Sequence, residues 1–398
     1  MTQATERRPV VAAPQPDQPD QRVGLVRWWR RLPAPWPDLL TSWLTVRVVV
    51  LLALVMSALL RRHLLHRYGL RMSTSGLLGW DADWYRRIAE HGYDGAGRES
   101  LRFFPAFPLL VRWTAWPLGG SVPAALLLLA NSGALAYAWL LHRLALREGL
   151  GEQVARRAVW VAALAPAGFV LVMGYTEALY GVLVVAVFLA ARDRRWLLVV
   201  GLGLLAGCSR PTGVLLALPV LIEALRTVRG ARPLDLLKRA CAVAAPAAGL
   251  AVYLLWVGWR YGDPLLPFRL QVDDRLRGGA FVNPVPDLWQ VARDAVLQDG
   301  PVTILVHLPV VCVSLVLLVV VARRLPVSYL AFAAGTLTLA LTAQRLTSFE
   351  RYAGSAVPLL LAAALLVGSG RRAAVSLALA GVAVAGYSLL AFTNLLVP

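Results

Sequence analysis

Between Gly79 and Tyr93 the chain reads GWDADWYRRIAEHGY, which sets Asp81 and Asp83 among Trp80, Trp84, Tyr85 and His91. A carboxylate held beside aromatic rings can take the proton of a hydroxyl as its oxygen attacks an electrophilic carbon. Such a reaction needs a partner for the charge on the leaving group. Guanidinium groups supply it with bidentate hydrogen bonds to a phosphate, and Arg210 in SRPTG is the first candidate, ahead of Arg351 in SFERY and Arg102. Asp83, Tyr85 and His91 lie in the same stretch as Asp81 as further binding candidates. The Asp-x-Asp spacing is also one that nucleotide-sugar transferases use to hold a metal.

Each of these residues also has a structural reading. Asp81 suits the N-cap of a short helix, with Trp80 and Tyr85 as its hydrophobic staple and Gly92 at its left-handed end. Asp83 suits the helix dipole and an i,i+4 pair with Arg87. Trp80, Trp84 and Ile88 recur every four residues, a stripe that fits a membrane or bundle surface while Asp81 and Tyr85 take the adjoining face. His91 and Glu177 fit helix ends of opposite polarity. Arg210 fits a lipid headgroup, and Arg351 a local pair with Glu350.

The elements that must position these groups are helices made for lipid. The chain of 398 residues is 58% hydrophobic and 16% charged, and its repeated apolar runs have roughly the 20-residue length that crosses a bilayer. Runs such as VVLLALVMSALL do not alternate, which excludes a transmembrane barrel. The expectation is an all-α polytopic membrane protein of about 11 helices, near 43–60, 122–142, 156–173, 176–191, 196–209, 212–226, 240–258, 302–322, 326–343, 353–368 and 373–395. Arg47 in the first span is expected to snorkel. Residues 1–42 are expected to form a proline-rich disordered cytoplasmic tail ending in an interfacial anchor at Trp28, Trp29 and Trp36. FFPAFPLLVRWTAWP, 103–117, reads as an interfacial helix or re-entrant turn, because three prolines and Arg112 interrupt it.

A net charge of +18 would suggest nucleic acid in a soluble protein. Here it reflects the sorting of basic loops to the cytoplasmic side, so no nucleic-acid partner is expected. With the N-terminus inside, HRLALREGLGEQVARR, RDRR and RTVRGARPLDLLKR face inward. The segments 61–121, 174–177, 209–213, 259–301 and 344–352 face out, the first and fourth of them as large loops. An outward site assembled from several loops follows. Cys208, Cys241 and Cys312 lack metal-ligand spacing and read as packing residues. GLGLLAG, 201–207, imitates a dinucleotide fingerprint without a preceding strand, and reads as a small-residue helix contact through Gly203 and Gly207.

WDADWYRRIAEHGY, FFPAFPLL, GYTEALYGVL and RDRRWLLVVGLGLLAGCSRPTGVLL follow one another in an order that resembles the PIG-V-type mannosyltransferases. These GPI-mannosyltransferase-like enzymes are membrane glycosyltransferases of the GT-C class. The motifs cover roughly residues 40–225. One departure is visible: the family often has Ser-Asn after the arginine where Pro211 and Thr212 follow Arg210. The resemblance implies a GT-C-like bundle, mannose transfer from polyprenyl-phosphate-mannose on the non-cytoplasmic face, and Asp81 as the loop carboxylate. It also raises Glu177 to a substrate-binding candidate.

The residues lead independently to the same face, since a site outside the cell cannot count on nucleotide sugars and a lipid-linked sugar is the activated donor at hand. No cofactor and no obligatory divalent metal are expected, because no nucleotide diphosphate needs one. The expected acceptor is a glycolipid or cell-envelope glycan, and membrane lipids surround the protein. Lys238 is the only lysine, a composition that fits a GC-rich genome and hence a bacterial plasma membrane. A transporter or flippase of a lipid-linked sugar, or a transferase of another sugar, would use similar helices.

Overall fold

The computed structural model describes residues 35–68, 75–226, 228–273, 282–297 and 303–397. Among them the elements are helical and no strand is present. In chain order they are α1 (Trp36–Tyr68), α2 (Asp81–Ala96), α3 (Ala106–Ala115), α4 (Val122–Arg147), α5 (Glu152–Leu164), α6 (Glu177–Arg192), α7 (Trp196–Ser209), α8 (Ala217–Arg226), α9 (Pro233–Tyr261), α10 (Leu266–Gln271), α11 (Pro284–Leu297), α12 (Thr303–Arg324), α13 (Val327–Leu341), α14 (Phe349–Ser355), α15 (Val357–Leu366) and α16 (Gly370–Phe392). Proline and glycine punctuate them. Pro123 lies in the first turn of α4 behind the N-cap Ser121, whose hydroxyl accepts from Ala124 N. Gly262 ends α9 in the left-handed conformation.

Among the described residues five helices are long and apolar enough to span a bilayer: α1, α4, α9, α12 and α16. A sixth span results if α14 and α15, bent by 83° at Ala356, count as one. Helical segments also occupy the other expected places, but several are short. Pro166 and Pro211 open 3₁₀ segments at Pro166–Leu171 and Pro211–Leu216, so α5 and α8 retain only 13 and 10 residues of α-helix. Exposed leucines and valines cover the flanks of the long helices, including Leu52, Val252, Leu255, Leu379 and Val382. In a bundle this apolar they mark a surface fit for lipid.

Three expectations change. Helix α1 begins at Trp36 rather than near 43, and of the expected tail residues 1–34, with Trp28 and Trp29, lie outside the described residues. Arg47 does not snorkel: it is buried, with its guanidinium over the Trp43 ring, and donates to Asn131 Oδ1 at 2.8 Å and to the carbonyls of Trp43 and Leu171. Those acceptors inside the bundle replace the water it would otherwise seek. Cys241 and Cys312 are exposed on the helix flanks rather than packed inside.

The segment after Phe103 forms the short helix α3, which buries Phe107 and Val111 and leaves Trp113 outward, with Trp116 exposed just beyond its end, an amphipathic pattern. Helices α7 and α9 pack along each other where Gly203, Gly207 and Gly249 lie. A Cβ on Gly207 would run into Pro246 O, and one on Gly249 into Leu204 O. Backbone thus approaches backbone in a small-residue contact.

Polar residues gather at two poles of the bundle. At one, Arg192 pairs with Glu148 at 2.8 Å and with Glu223, which also accepts from Ser328 Oγ and Arg226. Arg147 reaches Asp193 close by. These residues come from the basic loops expected to share one side. The other pole holds the cavity described below.

The close contact yields a stability prediction. Gly249→Val should destabilise the detergent-solubilised protein by about 1–3 kcal/mol, the usual cost of overpacking, seen as a lower midpoint in thermal unfolding. Gly201→Ala, where an added Cβ meets nothing within 4 Å, should keep or raise that midpoint.

Candidate functional site

Asp81 is the first residue of α2, and its position is fixed from three directions. Trp80 before it adopts φ +59 and ψ −127, a conformation that side chains rarely take, and its indole Nε1 donates to Ala391 O at 3.2 Å. The Asp81 amide N–H donates to the Tyr175 hydroxyl at 3.3 Å. The carboxylate itself meets Arg351 Nη1 at 2.5 Å, across 270 residues of sequence. Asp81 is therefore not the expected N-cap; Trp80 holds that position and makes no side-chain cap. Nor do Trp80 and Tyr85 staple, since they pack into separate cores.

Arg351 lies on α14, entered through Ser348 in the left-handed region at φ +58. Its guanidinium is divided between two carboxylates: Asp81, and Glu177 at 3.2 Å from Nε. Glu177 opens α6 and also meets Arg210 Nη1 at 2.5 Å. The chain Asp81, Arg351, Glu177, Arg210 thus alternates in charge. Glu177, Arg210 and Arg351 are each under one tenth exposed, and the Asp81 side chain 14%. Rings shield both guanidinium groups: Arg210 stacks over Tyr180 and Tyr352, and Arg351 over Tyr175. The local Arg351 pair with Glu350 does not form. Glu350 faces the other way and meets His307 Nδ1 at 2.6 Å, because adjacent residues of a helix point about 100° apart.

These four charges line a cavity of about 340 Å³, within the roughly 300–1,000 Å³ of small-molecule sites. Arg102 and Tyr85 line it as well. Arg102 lies over Trp84 and Phe103 and pairs with Glu99 at 4.0 Å. Leu215, Leu250, Pro267, Phe268 and Leu339 build the apolar wall. All five segments expected on one side of the membrane contribute lining residues. Tyr85 packs edge-on against Phe103 and Phe107 at 5.3 and 5.0 Å. Burial, reinforced by the Asp81 and Glu177 charges, pushes its phenol well above the ordinary tyrosine range, so it keeps its proton at neutral pH and can donate it in a hydrogen bond.

Two candidates stand apart. Asp83 pairs with Arg86 at 2.6 Å and Arg87 at 2.8 Å, so Asp81 and Asp83 do not converge as an Asp-x-Asp metal pair would. His91 is largely exposed beside Glu90 and lines no part of the cavity. Gly92 breaks the helical run at φ +71, ψ 179, an extended rather than left-handed conformation, and a further short helical stretch follows to Ala96. Behind the charge chain lies a second space of about 30 Å³, walled by Glu177, Arg351 and Ser355. Glu177 Oε2 is buried there without a hydrogen-bond partner among the described residues, and the space is large enough for one water.

Sequence reasoning missed Tyr175, Tyr352, Gln271, Gln344 and Thr347. Tyr175 and Tyr352 lie next to singled-out motifs, in GYTEALY and SFERY, and that adjacency was the available signal. No protein-family model matches the chain, and no curated protein matches it.

Removing one member of a buried ion pair leaves an uncompensated charge. Glu177→Gln should therefore lower unfolding stability by about 3–5 kcal/mol, read by denaturation in detergent. Asp83→Asn, in a partly exposed cluster, should cost less than about 1 kcal/mol.

Proposed function

We propose that this protein is an integral membrane glycosyltransferase, GT-C-like, that moves mannose from polyprenyl-phosphate-mannose to a glycolipid or cell-envelope acceptor. The observation that supports it is one cavity lined by Asp81, by two buried guanidinium groups and by apolar side chains. A lipid phosphodiester needs both halves: cations for its phosphate and an apolar surface for its prenyl chain. Mannose, rather than another sugar, rests on the resemblance alone.

In the proposed step the acceptor hydroxyl attacks the anomeric carbon as Asp81 takes its proton. The new carbon–oxygen bond forms while the bond to the phosphate oxygen breaks, and polyprenyl phosphate leaves with that electron pair. Arg210 and Arg351 receive the developing phosphate charge. Arg102 stands at the same cavity, and the Tyr85 phenol is placed to donate to substrate oxygens. A single displacement inverts the anomeric configuration. Glu177 holds the two arginines apart and in register. Asp83 and His91, off the cavity, have no part in this step.

The topology we favour counts about 11 spans, with the short helices completing the bundle as in a GT-C fold, the N-terminus cytoplasmic and the cavity outward. It places the short helices α2 and α3 at the outer interface, within the first large loop. A bacterial plasma membrane fits the near-absence of lysine. The step requires no cofactor.

The test is transfer of label from radiolabelled polyprenyl-phosphate-mannose to membrane acceptors, at matched levels of folded protein. Wild type should give labelled product, and Asp81→Asn should lose about 10²–10⁴ in rate, the usual contribution of a positioned base. Equal rates would rule out Asp81 as the base. Lipid movement across the membrane without any glycosidic product would replace the transferase with a transporter.

A further inference from the structure

Arg351 and Arg210 are not idle cations. The two carboxylates, Asp81 and Glu177, already neutralise the two guanidinium groups pair for pair. A phosphodiester entering the cavity must therefore take a guanidinium from a carboxylate that holds it. A carboxylate in a close guanidinium pair is also a poor base, because the opposite charge stabilises its ionised form. The base and the anion site obstruct each other as long as Arg351 stays on Asp81.

The geometry points to which contact yields. Glu177 accepts a hydrogen bond from Arg210 Nη1 at 2.5 Å, is ion-paired without a hydrogen bond to Arg351 Nε at 3.2 Å, and lines both cavities. Asp81 is twice as exposed as Glu177, 14% against 7% for the side chains. It also lies at the N-terminus of α2, where the helix dipole stabilises a carboxylate that has let go of a cation. We infer that Arg351 is exchanged between Asp81 and the phosphate of an incoming lipid phosphodiester, so that donor binding itself frees the Asp81 carboxylate to act as base. This inference rests on the reading of the cavity as a phosphodiester site. It adds an order of events: the donor binds first, and an acceptor that arrives alone meets a carboxylate still engaged with Arg351. It also assigns Asp81 a cost in donor affinity, since it competes with the phosphate for the same guanidinium.

That competition gives the test a direction that a purely structural Asp81 would not produce. The probe is farnesyl methyl phosphate, a phosphodiester monoanion with no sugar to transfer, titrated by calorimetry into the detergent-solubilised full chain. Asp81→Asn should bind it about tenfold more tightly than wild type, Asp81→Glu about as wild type, and Arg351→Gln at least about tenfold more weakly, the order expected for a charge-assisted contact. Unchanged or weaker binding by Asp81→Asn, with wild type binding the probe, overturns the exchange and leaves the phosphodiester reading intact. Absence of binding to wild type and to Asp81→Asn alike overturns the phosphodiester reading, and the exchange with it.

Should Asp81→Asn fail to fold, the exchange is read on wild type labelled with [4-13C]aspartate. The infrared carboxylate band should shift when the probe is added, and an unchanged band overturns the exchange.

Discussion

Four charges buried at one pole of an apolar bundle can persist only by satisfying one another. Moving an isolated ion out of water costs several kcal/mol even after relaxation, and the attraction between partners offsets this only at close range. Asp81, Arg351, Glu177 and Arg210 meet that condition through contacts of 2.5 to 3.2 Å. Each comes from a different element: the start of α2, helix α14, the start of α6, and the turn after α7. The network therefore decides where four distant parts of the chain must stand. The backbone shows the cost, with positive φ at Trp80 just before Asp81 and at Leu346 and Ser348 just before α14. Such conformations cost about 1–3 kcal/mol each and persist where surrounding structure over-determines them.

The rest of the fold serves that pole. Long apolar helices satisfy their own backbone groups and leave their flanks to lipid. Glycine contacts between α7 and α9 bring the turn after α7, and so Arg210, close against the rest of the bundle. At the far pole Arg192, Glu148 and Glu223 tie the opposite ends of the helices together. With both ends fixed, the cavity is set by helix ends rather than by loose loop.

Local features were legible in the sequence and long-range ones were not. Apolar length and the absence of alternation indicated helices, and the prolines of 103–117 indicated a short, interrupted one. Asp83 does pair with Arg87, since an i,i+4 spacing is a property of the helix itself. Charge sorting grouped five segments on one side, and all five meet at the cavity. By contrast, the Asp81–Arg351 contact spans 270 residues, and nothing in either motif names the other. Asp81 looked like a cap because caps are read from neighbours, whereas a partner brought by tertiary folding outcompetes the local amide. Arg47 looked able to snorkel because two of its acceptors, Asn131 and Leu171, lie on other elements. Number of spans is the least legible quantity, because 3₁₀ segments and the bend at Ala356 break apolar runs that read as continuous.

The central claim is that Asp81 and Arg351 form one energetic unit. A double-mutant cycle tests it directly, with Asp81→Asn, Arg351→Gln and the double variant compared with wild type by denaturation in a single detergent. Residues in direct contact couple by about 0.5–3 kcal/mol. The account predicts a coupling above about 1 kcal/mol, with the double variant more stable than the two single losses would sum to. Simple additivity would mean that the two side chains do not meet, and would contradict the site as described.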